Sequence, residues 1–302
     1  MSRVVPTKLT SYSPLPIAVS NKNLEISYAS IIPANSSSST EFRPEGTNRI
    51  LFRVPAYQNT FLDNSRSCLS FIFKVDSKAD DPAENGHLLN TKLGTPCLFS
   101  RMIIKSPNGL ILEDITDLHI LNKILDTMSD NSDNRHMEFM FDGDTYRENS
   151  LGGTNKTTLC ARERTGLRMN YYFKTGMLSR YLRNYLPLHS MNGGNSGNAF
   201  SLELFLNTNV NVLEKLGTGS TEGDSYGISD VKYNMTLLKA DQSIIERFNN
   251  LANDSQEIVI PFSTYRSYTN NLSGPKSTVQ VAEACSDLRR VHTVILLSLI
   301  HI

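Results

Sequence analysis

In LSFIFKV (69–75), Leu69, Phe71, Phe73 and Val75 alternate with Ser70, Ile72 and Lys74. A period of two sends the first set to one face and predicts a strand buried on that face. ILFRV (50–54) predicts another strand, closed by Pro55, which has no N–H to give a ladder. Between the two lies a polar crossing, residues 56–67, without a tight-hairpin signal. Strands are also predicted at LFSRMIIKS (98–106) and LILED (110–114), joined by the Pro107-Asn108-Gly109 turn. Further strands are predicted at 167–173, 182–188, 200–207 and 230–238. EIVIPFSTYRSYTNN, TVQV and RRVHTVIL add more towards the end, and LEISYASII (24–32) is one more candidate. Two segments follow a helical spacing instead. One carries Leu118, Leu121, Leu125 and Met128, with Thr116 as its cap. The other is DQSIIERFNNLAN, capped by Asp241 or Ser243, with Glu246 completing a capping box. Nine to eleven strands against two short helices predict an all-β chain of the sandwich type.

The segments between strands are long and polar. Residues 33–40 (PANSSSST) are turn-rich, 76–96 are rich in Asp, Pro, Asn and Gly, and 129–166 read as one long surface loop. The glycine- and serine-rich stretches SMNGGNSGN and LGTGSTEGDSYG are loops as well. At 302 residues the chain is long enough for a large core, as one large or two ordinary domains. Thirty basic and thirty acidic residues give a net charge of zero, which argues against coating nucleic acid by charge alone. The four cysteines, Cys68, Cys97, Cys160 and Cys285, form no CxxC pair and read as reduced small hydrophobes. The first residues lack a secretory pattern, and no stretch is long enough to span a bilayer. The sequons at Asn35, Asn155, Asn234 and Asn271 therefore carry little meaning.

Reactive constellations are missing from the sequence. The six histidines, His87, His119, His136, His189, His292 and His301, make no HxH, HExxH or HxxxH pair. His119, between Leu118 and Ile120, reads as a packed histidine rather than a ligand. GTGSTEG (217–223) has neither the lysine of a phosphate loop nor the spacing of a dinucleotide motif. SDNSDNRH (129–136) lacks the glycine that a calcium loop needs at its sixth position. Arg164, Arg168, Arg180 and Arg183 interleave with Tyr181 and Tyr185. Such a pattern more often marks the solvent side of a strand or a subunit contact than a nucleic-acid face. No catalytic, cofactor-binding or metal-binding residue is assigned, no cofactor is expected, and the chain reads as a non-enzyme.

The order of the strand motifs resembles the double jelly-roll major capsid proteins of the Polinton (Maverick), adintovirus and Polinton-like virus group. The elements that carry the resemblance are Pro33-Ala34-Asn35, the strand 50–54 ending at Pro55, the crossing 61–67 (FLDNSRS) and the strand 69–75. LFSRMIIKSPNGLILED resembles that family's next hairpin. AFSLELFLN and DVKYNMTLL resemble the last strands of its first jelly roll, and SIIERFNNLANDSQEIVIPFSTYRSYTNNLSG its inter-roll helix and the strand after it. Asn64 departs from the apolar residue usual at that position, and 129–166 has no counterpart. The resemblance implies an N-terminal arm at 1–44 and a complete first jelly roll at 45–242. A linker helix and the opening strands of a truncated second roll would occupy 243–296. LSLIHI (297–302) reads as adapter sequence, with the natural protein continuing after about Leu296; Val259, Val281 and residues 291–295 would then be poorly packed.

The implied function is structural: trimeric pseudo-hexagonal capsomers of an icosahedral double-stranded DNA virus or virus-like element. The implied partners are copies of itself, neighbouring capsomers, and penton or minor capsid proteins, without sequence-specific nucleic acid or a membrane span. The implied location is the virion. The rival reading is a lectin-like β-sandwich attachment module. In a jelly roll, strands 50–54 and 69–75 would lie in opposite sheets, which accounts for a crossing where a hairpin would otherwise stand.

Overall fold

The computed structural model describes residues 24–36, 40–76, 87–89, 94–128, 166–182, 184–191, 197–215, 225–255, 260–268 and 291. The chain divides into a unit Met1–Arg266 and a unit Ser267–Ile302. All the structure that follows belongs to the first. In the second, Val291 is exposed; the other residues expected to pack poorly, and the segments TVQV and LSLIHI, lie outside the described residues.

Two antiparallel sheets build the fold, each with a path of four main strands, and the first also takes in a short fifth strand. In the first, β1 (Leu24–Ile31) pairs with β11 (Ser225–Ala240), β11 with β3 (Thr60–Asp76), and β3 with β7 (Leu167–Tyr171). In the second, β2 (Arg49–Pro55) pairs with β9 (Asn198–Leu206), β9 with β5 (Phe99–Lys105), and β5 with β6 (Ile111–Thr116). Small strands complete the set: β4 (His87–Leu89) pairs with β10 (Leu213–Lys215), and β8 (Leu186–Pro187) pairs with β3. Among the eight main strands, the first pairs with the last, the second with the seventh, and the fourth with the fifth. The third and sixth also pair. A long antiparallel ribbon rolled up on itself has this order, and the fold is a jelly roll.

The alternation read from the sequence places the core. Leu69, Phe71, Phe73 and Val75 of β3 face Ile50, Phe52 and Val54 of β2 and Phe200, Leu202 and Leu204 of β9, all buried. Aromatic rings span the interior: Phe71 meets Phe99 edge-on at 6.1 Å, and Phe52 lies 6.1 Å from Tyr233. β2 and β3 lie in opposite sheets, as the crossing required.

The crossing itself is shorter than expected. Only residues 56–59 lie outside strands, and Asn59 makes the bend at φ 54, a left-handed conformation that asparagine tolerates. Phe61 and Leu62 are buried strand residues. The polar residues after them form a bulge in which four residues, Asn64 to Ser67, stand against the single Met235 of β11. Side chains replace the lost ladder bonds there. The Asp63 carboxylate accepts from the Ser65 N–H at 3.0 Å. Ser67 Oγ donates to the Asp63 carbonyl at 2.6 Å and accepts from the Thr236 N–H at 3.0 Å. Polarity that reads as loop is local backbone repair inside one long strand.

Other elements differ from the sequence reading in ways that have physical reasons. The strand candidate 24–32, inside the expected arm, is the roll's first strand, because β11 gives it a ladder along all eight residues. Of the predicted strand 182–188, only Leu186–Pro187 pairs. Ser225 to Gly227, read as loop, extend β11, where Tyr226 is buried and donates to the Asn207 carbonyl at 2.6 Å. Helix α1 (Leu118–Met128) starts after Asp117, not at Thr116; Asp117 has φ 51, and its carbonyl accepts from Ile120 and Leu121. A second, four-residue helix is α2 (Asn209–Val212). In α3 (Gln242–Ser255), Asp241 holds the cap position through its carbonyl. Ser243 lies within the helix, so no capping box forms, and Glu246 instead accepts from Gln242 at 3.3 Å. α3 covers the outer face of the first sheet with Ile244, Ile245 and Phe248 on Phe61, Leu238 and Ala240. Residues 260–266, predicted as part of a strand, have no ladder; Ile260 and Phe262 pack against the sandwich core.

Candidate functional site

Three features stand out once the sandwich is in place. The first is the edge formed by β1. Its alternate residues Ala29 and Ile31 pack on the core, while Ile26 and Tyr28 point outward, Tyr28 with 77% of its surface exposed. Ile32 follows them, also exposed. β1 pairs with β11 on one side and with no other strand among the described residues. It has eight residues and carries no lysine, proline or bulge, the usual guards of a free edge. A similar apolar group, Leu110, Ile111 and Leu112, is exposed at the tip of the β5–β6 hairpin, Leu110 to 68%. Sequence reasoning did not single out these positions. A signal was present: Leu24, Ile26 and Tyr28 on one parity and Ala29 and Ile31 on the other make β1 apolar on both faces, unlike a half-solvated strand.

The second feature is the Pro33-Ala34-Asn35 turn that links β1 towards β2. Asn35 clamps the free edge of β2. Its amide nitrogen donates to the Arg49 carbonyl at 2.7 Å, and its oxygen accepts from the Leu51 N–H at 3.0 Å. The Ala34 N–H donates to the Leu51 carbonyl at 2.6 Å. One side chain and one peptide supply the hydrogen bonds that a neighbouring strand would make.

The third lies at the opposite edge, where the turn 172–182 closes the gap between the sheets. Glu113 of β6 points inward with 2% of its surface exposed, and its carboxylate accepts from the Met177 N–H at 2.9 Å. The Met177 carbonyl accepts from the buried Asn64 amide of β3 at 3.0 Å. A single residue is therefore held by one sheet through its N–H and by the other through its C=O. Gly176 stands at φ 74 directly over Glu113, where a Cβ would overlap the carboxylate. Glu113 Oε1 and Asn64 Oδ1 are buried without a hydrogen-bond partner. Burial pushes the Glu113 carboxyl up to about 6, against the opposing pull of the Met177 N–H, Thr264 and Arg266.

Several charged groups elsewhere are engaged with one another. On the outer face of the second sheet, Glu203 takes Lys105 at 2.6 Å and Arg49 at 3.0 Å. Burial raises its carboxyl, but these two cations outweigh burial and hold it below its ordinary value. Arg101 grips Asp114 through two hydrogen bonds of 2.8 and 2.6 Å. The arginines that suggested a basic face are dispersed. Arg168 pairs with Asp230 at 2.6 Å, and Arg180 lies over the rings of Tyr172 and Tyr181; Arg164 and Arg183 lie outside the described residues. His119 is buried in α1 and His189 packs against Phe61 and Phe248; burial lowers the pKa of both. Cys68 and Cys97 are reduced, in no disulfide. Among the described residues no group of three or more His, Cys, Asp or Glu is placed to hold a metal, and no helix is long and apolar enough to cross a membrane. The glycine-rich segment 217–223 and the acidic segment 129–136 lie outside the described residues.

No protein-family model and no curated protein matches the chain. Among solved structures it is similar to the crystal structure of the mavirus major capsid protein, with a TM-score of 0.34 and 12% sequence identity. That match covers 80% of this chain and 55% of the other, so the chain spans about half the length of that protein.

Proposed function

We propose that this chain is a major capsid protein of the Polinton-like double jelly-roll group. In this reading three copies form a pseudo-hexagonal capsomer, and capsomers tile the icosahedral shell of a double-stranded DNA virus or virus-like element. The protein works by assembly, with copies of itself, neighbouring capsomers and penton or minor capsid proteins as partners, and its place is the virion. Residues after α3 open a second roll. Jelly rolls also serve lectins and cupins, so the strand order alone does not choose a function. The observation that carries the reading is where the resembling motifs fall. Pro33-Ala34-Asn35 is the clamp on β2, residues 50–55 are β2 itself, and 61–75 are the bulged strand β3. The residues that carry the likeness are those that route the chain from the first strand into the opposite sheet and back.

The test is the state of the purified protein. Sedimentation velocity and negative-stain microscopy are expected to show trimers or larger closed assemblies. A stable monomer that binds oligosaccharide on a glycan array would favour the attachment-module reading and overturn this one.

A further inference from the structure

Glu113 is a carboxyl group sealed inside the sandwich edge with one backbone donor, one oxygen without a partner, and no cation within ion-pairing distance among the described residues. Its surroundings are set by three elements. The turn contributes Gly176, which allows the close approach, and Met177, which both sheets hold. The segment 260–266 contributes Thr264 and Arg266, which favour the ionised form. The remaining charged side chains on the packed elements are Lys174 and Arg180 on the turn and Arg101, Lys105 and Asp114 on β5 and β6. Arg180 is taken up by two tyrosine rings, Arg101 by Asp114, and Lys105 by Glu203. A buried carboxylate with so little compensation is strongly disfavoured relative to its neutral form.

We propose that Glu113 makes the turn 172–182 an acid-tightened clasp between the two sheets: the turn is shut most firmly with Glu113 protonated, and ionisation loosens it. Opening the turn returns the carboxyl to water, where its ordinary pKa of 4.5 applies, against about 6 in the closed state. Closing therefore takes up a proton between these values. The population of the open turn rises as pH is raised through that window, by up to roughly 30-fold. The Met177 N–H and Arg266 oppose this and set its size. A capsid protein with such a clasp is less rigid at that edge at neutral pH than in acid. The clasp itself does not rest on the capsid reading.

Hydrogen exchange on the full chain tests it, after correction for intrinsic rates. The reporters are the amides of Ser179, Arg180 and Leu182, which close the turn by bonding Gly176, Phe173 and Ser179. Their protection is expected to be higher at pH 5 than at pH 7 by roughly sevenfold, and Glu113→Gln is expected to abolish that dependence while the turn stays closed. The Thr236 amide in β11 serves as the global reference. Equal pH dependence in Glu113→Gln, or protection that rises with pH, would overturn the proposal. Carbon-13 titration of the Glu113 carboxyl in the unmodified protein needs no variant: a midpoint near 6 supports the clasp, and one below 5 sinks it.

Discussion

Phe71 and Phe73 sit at full burial on the inner face of β3, one ring edge-on to Phe99 and the other 5.8 Å from Tyr226. Truncating either to alanine is expected to cost about 3–5 kcal/mol in urea unfolding, the range for large aromatic deletions in a packed core. Lys74→Ala, on the exposed parity of the same strand, is expected to change stability by less than about 0.5 kcal/mol. Glycine substitutions separate backbone strain from collision. Gly109 and Gly176 both have positive φ, but a Cβ at Gly109 meets nothing within 4 Å, whereas at Gly176 it meets the Glu113 carboxylate. Gly109→Ala is expected to cost about 1 kcal/mol and Gly176→Ala at least twice that; equal costs in chemical denaturation would show that the turn yields freely. The alternation of β3 was legible because a period of two is a one-dimensional signal. The pairing of Asn64 and Glu113 through Met177 was not, since 113 residues separate Asn64 from Met177. Asn64 reads as one polar residue of a crossing, and its burial is explained by a partner distant in sequence, the Met177 carbonyl.

The elements read well wherever a strand keeps one face dry. β2, β5, β6, β7, β9 and the second half of β11 fall on predicted segments, as do α1 and α3. Two of the misreadings share one cause: side chains or distant strands satisfied the backbone where local sequence promised a loop. The polar bulge of β3 and the glycine at position 227 inside β11 are of this kind. The opposite error is residues 260–266, where Ile260 and Phe262 pack against a finished core and no ladder forms. The free edge of β1 makes a testable case at this scale. On the capsid reading its outward row is covered by another copy in the assembly. Tyr28→Lys combined with Ile26→Lys places charge on an exposed surface, so the unfolding midpoint of the isolated subunit is expected to stay within about 0.5 kcal/mol. Assembly, followed by light scattering or sedimentation, is expected to fall sharply. Unchanged assembly would show that this edge faces solvent in the particle.

For the whole molecule, pairing the first strand with the last makes stability depend on contacts far apart in sequence, and proton linkage acts on them together. Several carboxyls are held below their ordinary range: Asp114 first by the hydrogen bond from Arg101, Asp230 first by that from Lys232, and Asp76 and Glu203 by cations that outweigh burial. These groups add stability above the unfolded carboxyl range that is lost as pH falls through their folded values. His119 and His189, lowered by burial, also withdraw stability as pH falls below 6.5. Glu113 has the opposite sign. Its folded value of about 6 exceeds the ordinary 4.5, so its contribution is complete below 4.5 and lost as pH rises through 6. The shift corresponds to about 2 kcal/mol. Because the other groups titrate alike in the two proteins, the difference between the parent and Glu113→Gln isolates it. Unfolding free energies measured from pH 4.5 to 7.5 are expected to show the variant gaining about 1.5 kcal/mol on the parent as pH rises, most of it between 4.5 and about 6, the two values that bound the titration. A difference that stays flat, or one that favours the parent at neutral pH, would mean that the buried carboxylate is better compensated than its single backbone donor implies.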